Sequence, residues 1–434
     1  MVSRTLARGG AGKSTRERIP KTLVAVGWLS LGLCGWLVMG SIYVHALRPA
    51  PDRITDFFQD WASARNHWVG LPVYTHHAKS FPRYLGLPPE SLGDVVYNAH
   101  PPASVFLVLP LGRLAYLDAV LAWNLVSIAA LLASLAIVAA GLPELKALWL
   151  PAAALLPFCM PVYGNLQQCQ LNLALLLMVT AAWALDRSGR PVAAGMLVGA
   201  AAAIKLFPAY LVVYLVARGR WRAVLGAAAS FLTLNLATAA VLGRQSYDDY
   251  LHIVLPYMRV FPTLGFNFSF AGFWNKLFNP AAEGGVVIPL WASPAVARCG
   301  TLLSDLVATA IVAAVAYRAR TPARRDLAFG AAVTAMLLVA PMTWDISMVF
   351  LLVPIALIAR TAERVPGMPV VLVLILTILC VPQSLLTELA STDRTHPGIS
   401  PAFMLGAASL KFYALLGAFL LGLAAFRAEA RSQP

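Results

Sequence analysis

Charge is scarce in this sequence, and acidic charge is the scarcest. Only 12% of the 434 residues are charged, with 19 acidic and 33 basic side chains, whereas a soluble globular domain carries about 25% charged residues. Hydrophobic residues make up 59% of the chain, and the mean hydropathy is +0.73. These values exclude an ordinary soluble protein and predict an all-α polytopic membrane protein.

The signature motifs of several protein classes are also missing. The five cysteines form no Cys-x-x-Cys pair, so neither a disulfide framework nor a cysteine metal site is predicted. A P-loop, a Gly-x-Ser-x-Gly elbow and a Gly-x-Gly-x-x-Gly turn after a strand are all absent, which argues against ATP-driven transport and hydrolase chemistry. Basic residues lie in short segments between apolar runs and are not interleaved with aromatics, so no nucleic-acid partner is predicted.

The basic segments predict the membrane topology. Residues 1–21 read as a basic cytoplasmic tail, 22–426 as one transmembrane domain and 427–434 as a second cytoplasmic tail. We expect a multi-pass protein of the cytoplasmic membrane, with roughly 10–12 spans and both termini inside. The first apolar run is too long for a signal-peptide core, so we expect it to be retained. Two long loops, 47–101 and 243–297, would lie outside.

The span count is ambiguous in two places. Residues 103–114 form either a short spanning helix or a half-buried helix on the outer side. The run 192–217 contains AIKLFP and lies between two basic clusters that the positive-inside rule places on the same side. One helix cannot connect two points on the same side, so we favour a broken or re-entrant pair hinged near residues 205–208. The alternative places the first basic cluster outside.

Residues 55–74, TDFFQDWASARNHWVGLPVY, are the most informative part of the first loop. At 100° per residue, a helix here places Phe57, Phe58 and Trp61 on one face, and Asp56 and Asp60 on the opposite face. Such a helix would lie in the membrane interface with its aromatics in lipid and its carboxylates in a polar space. Acid/base chemistry could use two carboxylates held this way. Periodicity alone favours the simpler interpretation, an amphipathic helix that anchors a loop.

Polar residues near membrane depth are costly and are therefore functional candidates. In the favoured topology they gather on the side of Asp56, and they include Gln170, Asn172, Asn267, Trp344 and Asp345. Lys205, deep in an apolar run, is either a snorkelling side chain or a cation for a lipid phosphate. The loop histidines lack metal-binding helical spacing, so a metal site is weakly supported and the need for a divalent cation stays open.

Five segments occur in an order typical of one family: DFFQDWASARNHWVGLPVY, HPPASVFLVLPLGRL, GNLQQCQLNLALLL, GRPVAAGMLVGAAAAIKLFPAYLVVYLVARGRWRA and APMTWDISMVFLLVP. Together they resemble the multispanning glycosyltransferases of the GT-C superfamily, and within it glycosyltransferase family 87. The resemblance covers about residues 50–355. The chain departs from the family at His100, where the family has tyrosine, and after Trp344, where the family often has histidine and this chain has Asp345.

The resemblance implies a GT-C fold and an inverting sugar transfer at the outer face of the membrane. The donor would be a polyprenyl-phosphate sugar, with mannose by analogy, and the acceptor a lipid or glycan. A carboxylate would remove the proton from the acceptor hydroxyl while the lipid phosphate leaves. Asp56 matches the family's first-loop aspartate and would be this base. Asp60 would orient the acceptor or raise the pKa of Asp56 through like-charge proximity.

The remaining candidates would bind the donor. The donor phosphate and sugar are assigned to side chains from several segments: Lys205, His100, Arg83, Gln170, Asn172, Asn267, Trp344 and Asp345. If a family histidine after Trp344 contacts phosphate, that role falls here to Asp345 or to a loop histidine, or is missing. Trp344 would stack on a sugar face, although an interfacial anchor is the more common role for such a tryptophan.

Two other functions fit part of the pattern. A transporter or flippase of lipid-linked sugars would also have many spans, a broken helix and polar groups at depth. The transporter interpretation is disfavoured because no inverted repeats are visible and because the carboxylates lie in an outer-loop helix. A glycan ligase or polymerase of the same superfamily would differ in using a lipid diphosphate donor.

Overall fold

The computed structural model describes residues 21–50, 53–88, 96–382, 385 and 401–431, and these contain no β-strand. The α-helices, numbered in chain order, are α1 (Lys21–Leu47), α2 (Phe57–Trp68), α3 (His77–Leu85), α4 (Pro102–Val108), α5 (Tyr116–Gly141), α6 (Trp149–Leu155), α7 (Met160–Gln167), α8 (Asn172–Arg187), α9 (Pro191–Ile204), α10 (Leu211–Ala217), α11 (Trp221–Leu242), α12 (Gln245–Asp249), α13 (Leu255–Tyr257), α14 (Phe270–Phe278), α15 (Pro294–Arg318), α16 (Pro322–Val339), α17 (Leu352–Thr361), α18 (Met368–Cys380), α19 (Pro401–Leu405) and α20 (Leu410–Arg431). Short 3₁₀ segments connect many of them.

The two predicted tails differ in what the structure describes. Apart from Lys21, which begins α1, the predicted N-terminal tail lies outside the described residues. The predicted C-terminal tail begins at residue 427, but α20 continues as a helix to Arg431, and residues 432–434 lie outside the described part.

Within the described residues, six helices are long and apolar enough to cross a membrane. A seventh candidate is the pair Pro143–Phe158 and Met160–Gln167, which is bent by 49°. Four shorter apolar helices account for the difference from the predicted 10–12 spans: Pro102–Arg113, Pro191–Ile204, Phe207–Ala217 and Met368–Cys380. The chain is therefore an all-α, multi-pass membrane protein, as its composition predicts.

Helices α16 and α1 show the two extremes of burial in the bundle. Every residue of α16 from Asp326 to Leu338 is buried, so this helix lies at the centre. In α1 only Gly35, Tyr43 and Ala46 are buried. An apolar helix that exposes most of its length in a membrane protein faces lipid.

Glycines allow α9 and α11 to pack at very short distance. A Cβ atom on Gly195 would lie 1.8 Å from the carbonyl oxygen of Ala223, and one on Gly199 would lie 2.0 Å from that of Ala227. The spacing of four residues on both helices is the small-xxx-small pattern of membrane helix pairs.

The broken segment in 192–217 is present where the sequence predicts it. Helix α9 ends at Ile204, Lys205 is extended with φ −138° and ψ 135°, and a 3₁₀ turn follows at Phe207–Tyr210. Pro208 has no N–H for the carbonyl of Ile204, so a continuous helix would lose a hydrogen bond here. At this helix break the Lys205 side chain points into the protein, where it bonds to Gln170 and Asn172.

The segment 102–113 does not form a full span. Helix α4 and the 3₁₀ turn Leu109–Arg113 together have 12 residues, about 18 Å of helix against a hydrocarbon core of about 30 Å. The segment lies against α2, where a Cβ on Gly112 would be 2.8 Å from the backbone of Ala64. Arg65 donates from Nη1 to the carbonyl of Gly112 at 3.1 Å.

The prediction that α2 places its aromatics in lipid is wrong. Phe57, Phe58 and Trp61 are only 1%, 2% and 3% exposed. Phe57 stacks on Trp123 at 5.9 Å, and Trp61 meets the ring of Tyr116 at 5.2 Å, so the start of α5 covers this face. Helical periodicity separates two faces of a helix but does not reveal whether protein or lipid covers the apolar one.

Candidate active site

A cavity of about 350 Å³ opens beside the N-terminus of α2. Its volume falls within the usual range for a small-molecule site. Polar side chains from six separate segments line it: Asp56, Gln59, His100, Gln170, Asn172, Lys205, Arg259, Trp344 and Ser347. Apolar residues also line it, among them Leu206, Phe207, Leu255, Met258, Phe261 and Ile346. The cavity can therefore hold a ligand with a polar head and an apolar chain.

Asp56 occupies the N-cap position of α2, but its carboxylate makes no capping hydrogen bond. An aspartate at this position usually accepts a bond from the helix backbone. Here Oδ2 instead accepts a hydrogen bond from Nε2 of Gln170 at 2.7 Å, and the backbone N–H of Asp56 donates to Oε1 of Gln168 at 3.4 Å. The carboxylate is thus turned away from its own helix and lines the cavity.

Gln170 connects Asp56 to Lys205. Its Oε1 accepts a hydrogen bond from Nζ of Lys205 at 2.9 Å, and Lys205 also donates to Oδ1 of Asn172 at 3.2 Å. The orientation of the Gln170 amide is fixed, because a carboxylate can only accept from its NH₂ group and an ammonium can only donate to its oxygen. The amide keeps the two charges apart and in a defined geometry.

The pKa of Asp56 is raised above its ordinary value of 3.8 by burial, against the opposing effects of the Gln170 hydrogen bond and the positive charges of His100 and Lys205. The negative charge of Asp60 also raises this pKa. A raised pKa makes the carboxylate a better proton acceptor.

Asp60 lies one turn further along α2 and is only 1% exposed. Its Oδ2 is 2.8 Å from Nδ1 of His100, and its Oδ1 accepts bonds from Oγ of Ser104 at 2.9 Å and Nδ2 of Asn98 at 3.3 Å. Both oxygens are therefore engaged, and Asp60 is not among the residues that line the cavity. The buried carboxylate holds the segment 98–104 against α2.

The two carboxylates thus have opposite environments. Burial by itself would raise the pKa of Asp60, but the charge of His100 and the hydrogen bonds from His100 and Ser104 hold this pKa below 3.8. Asp60 fixes the ring of His100, whose side chain is 14% exposed and lines the cavity. Two carboxylates one turn apart have different roles when their surroundings shift their pKa values in opposite directions.

Six of the ten predicted site residues line the cavity, Asp60 lies behind them with its carboxylate bonded to His100, and the other three lie elsewhere. Arg83 is exposed on α3, with its guanidinium 5.9 Å from the ring of Tyr84. Asn267 is fully buried and donates to the carbonyl of Pro341 at 2.8 Å. Asp345 forms an ion pair with the buried Lys411 at 2.8 Å.

The residues after Trp344 therefore divide between two environments. Asp345 turns towards Lys411, whereas Trp344, Ile346 and Ser347 line the cavity. Asp345 and a loop histidine were the candidates to replace the histidine that the family often has after Trp344. Of these, His100 lines the cavity and Asp345 does not.

Sequence reasoning missed several cavity residues, and Arg259 is the most consequential of them. It lies in the 3₁₀ segment Met258–Thr263 of the second long loop, is exposed, and lines the cavity. The sequence contained a signal for it, because Arg259 is the one charged residue in the apolar stretch VLPYMRVFP. Gln59 and Tyr250 were missed as well, and both line the cavity.

The described residues contain no group of three or more His, Cys, Asp or Glu side chains that could hold a metal ion. Asp56 and His100 both reach the cavity, but the carboxylate of Asp60, the nearest third ligand, is occupied by three hydrogen-bond donors.

Comparison with known proteins places the chain in a family. The model of Glycosyltransferase family 87 matches residues 98–341. This range includes His100, Gln170, Lys205 and Arg259, while Asp56 precedes it. A Polyprenol-phosphate-mannose-dependent alpha-(1-2)-phosphatidylinositol mannoside mannosyltransferase from Mycobacterium tuberculosis (strain ATCC 25618 / H37Rv) is 28% identical over 246 residues.

That similarity covers 52% of this chain and 54% of the mycobacterial protein, so the chain spans about half the length of this curated relative. No solved structure matches the chain significantly. The family model matches more than half of the 434 residues, and the chain therefore belongs to glycosyltransferase family 87.

Proposed function

We propose that this protein transfers a sugar, mannose in the first instance, from a polyprenyl-phosphate donor to a lipid or glycan acceptor. The observation that carries the proposal is the Asp56 carboxylate, which is diverted from helix capping and held at the cavity by Gln170. Family membership gives the class of reaction, and the name of the mycobacterial relative suggests the donor and sugar.

In the proposed reaction Asp56 accepts the proton of an acceptor hydroxyl. The hydroxyl oxygen attacks the anomeric carbon, and the bond between that carbon and the phosphate oxygen breaks with both electrons leaving on the phosphate. The sugar configuration inverts, because attack and departure occur on opposite faces. A positioned general base contributes roughly 10²–10⁴-fold to such a step.

The leaving phosphate requires positive charge, because negative charge develops on its oxygen as the bond breaks. Lys205 and Arg259 are the cationic side chains that line the cavity, and His100 is the third candidate. Lys205 is fixed by Gln170 and Asn172, whereas Arg259 comes from the second long loop. We assign Lys205 and Arg259 to the donor phosphate.

The apolar lining suits the polyprenyl chain of the donor. Leu255, Met258 and Phe261 come from the second long loop, and Leu206 and Phe207 from the helix break. Trp344, half-buried at the cavity, offers an aromatic face to a sugar ring.

A donor panel tests the proposal. Purified protein in proteoliposomes is given labelled mannose on polyprenyl monophosphate, on polyprenyl diphosphate or on a nucleoside diphosphate, together with membrane glycolipid acceptors. We expect transfer from the polyprenyl monophosphate alone. Transfer only from the diphosphate lipid would replace the proposed donor, and transfer from the nucleotide sugar would contradict the proposal. Uptake of lipid-linked sugar without transfer would support a flippase instead.

A further inference from the structure

A second cavity, of about 280 Å³, lies at the end of α1. It is lined by Ser41, Ile42, His45, Ala46, Pro49, Arg53, Tyr163 and Gln167, none of which lines the first cavity. Its size is just below that of a typical small-molecule pocket. It can therefore hold a compact polar group but not a whole lipid.

The polar side chains around this cavity have unused hydrogen-bonding capacity. Among the described residues, the guanidinium of Arg53 has no ion-pair partner, and the hydroxyl of Tyr163 and the amide of Gln167 have no hydrogen-bond partner. His45 donates from Nδ1 to the carbonyl of Ser41 at 2.7 Å. None of the described residues that line the cavity is acidic. An arginine together with neutral donors, with no described carboxylate beside them, favours an anion.

The position of the cavity indicates which anion would reach it. Helix α1 has 27 residues, about 40 Å, and is longer than the hydrocarbon core of a bilayer, about 30 Å. Side chains of α1 before and beside the cavity face outward, with Leu37, Val38 and Val44 exposed by 75%, 70% and 65%. Acyl chains would run along this surface, and the last turn of α1, with His45, would lie among the headgroups.

We propose that this second cavity binds the phosphate of an anionic lipid headgroup. Arg53 pairs with two phosphate oxygens through its guanidinium, and Gln167 and Tyr163 donate to the remaining oxygens. The acyl chains stay outside, along the exposed apolar surface of α1.

The lipid could come from two sources, a phospholipid of the bilayer or the lipid acceptor of the proposed transfer reaction. The second source rests on the proposed function. Two links connect the cavity to that reaction, since Arg53 lies three residues before Asp56 and Gln167 adjoins Gln168, which accepts a hydrogen bond from the backbone of Asp56. A bound acceptor phosphate would therefore sit next to the segment that carries the proposed base.

Native mass spectrometry of the full-length protein in detergent tests the binding site. The probes are phosphatidylglycerol and diacylglycerol, which share acyl chains but differ in the phosphate. We expect wild type to retain phosphatidylglycerol and not diacylglycerol. Arg53→Ala should weaken retention at least tenfold, and Arg53→Lys should recover part of it, because lysine keeps the charge but not the planar fork. Arg48→Ala, a change of an exposed arginine that does not line the cavity, should resemble wild type.

Two results would overturn the proposal: equal retention of both lipids by wild type, or equal retention by Arg53→Ala and Arg48→Ala. The source of the lipid is then read from transfer kinetics. A raised KM for the acceptor in Arg53→Ala, with kcat unchanged, assigns the site to the acceptor, and an unchanged KM assigns it to a bilayer phospholipid. The binding measurement needs no turnover, so its outcome is independent of the proposed transfer reaction.

Discussion

Asp56 and Asp60 should respond very differently to alanine substitution. Asp60 is 1% exposed, and its carboxylate is hydrogen-bonded to His100, Ser104 and Asn98. Removing one partner of a buried ion pair, here Asp60 with His100, costs about 3–5 kcal/mol, because the other groups stay buried without a partner. The carboxylate of Asp56 is half-buried and accepts one side-chain bond, from Gln170, so its loss should cost about 1 kcal/mol.

Thermal unfolding in detergent measures this difference. At about 2 °C for each kcal/mol in a chain of this size, Asp60→Ala should lower the apparent Tm by roughly 6–10 °C and Asp56→Ala by roughly 2 °C. Because the pKa of Asp60 is lowered in the folded state, its contribution to stability is present above the ordinary carboxyl pKa. It is lost as the pH falls through the lowered value.

The matched control is a scan of both variants at pH 7 and at one heating rate, since unfolding of membrane proteins is often irreversible. If Asp56→Ala lowers the apparent Tm as much as Asp60→Ala does, the two carboxylates do not have separate roles. The division between a cavity carboxylate and a positioning carboxylate would then be refuted.

Three further predictions concern the donor phosphate, helix packing and pH. Lys205→Ala should raise the KM for a polyprenyl-phosphate donor at least tenfold, and Lys205→Arg should recover part of that loss; unchanged donor kinetics would exclude a phosphate contact. Gly199→Val should lower the apparent Tm strongly, because its Cβ would lie 2.0 Å from the carbonyl of Ala227, whereas Gly27→Val, with nothing within 4 Å of its Cβ, should not. Burial raises the pKa of Asp56 above 3.8, and only the ionised carboxylate can act as the base. In the acidic range kcat/KM should therefore rise with pH, with a midpoint above pH 3.8. A midpoint at or below pH 3.8 would contradict the assignment.

The features that the sequence predicted are local ones. The break beside Lys205 follows from Pro208 and from basic clusters on both sides of a single apolar run. The helix at Phe57–Trp68 agrees with the 3.6-residue period of its apolar residues. Gln170 could be selected because polar residues at membrane depth are rare.

The features that the sequence did not predict depend on contacts between distant parts of the chain. Asp345 pairs with Lys411, which is 66 residues away, and Asn267 bonds to the backbone of Pro341, 74 residues away. No pattern within one segment reveals such a partner. The same is true of Arg259, whose relevance depends on a cavity formed by six separate segments.

The most direct test of the account is the transfer rate of Asp56→Asn, a substitution that keeps the shape of the side chain and removes its basicity. The rate of sugar transfer from a polyprenyl-phosphate donor is measured for this variant and for wild type in proteoliposomes, at equal protein content and confirmed apparent Tm. We predict a fall of roughly 10²–10⁴-fold. A rate within fivefold of wild type, with the fold intact, would show that Asp56 is not the base.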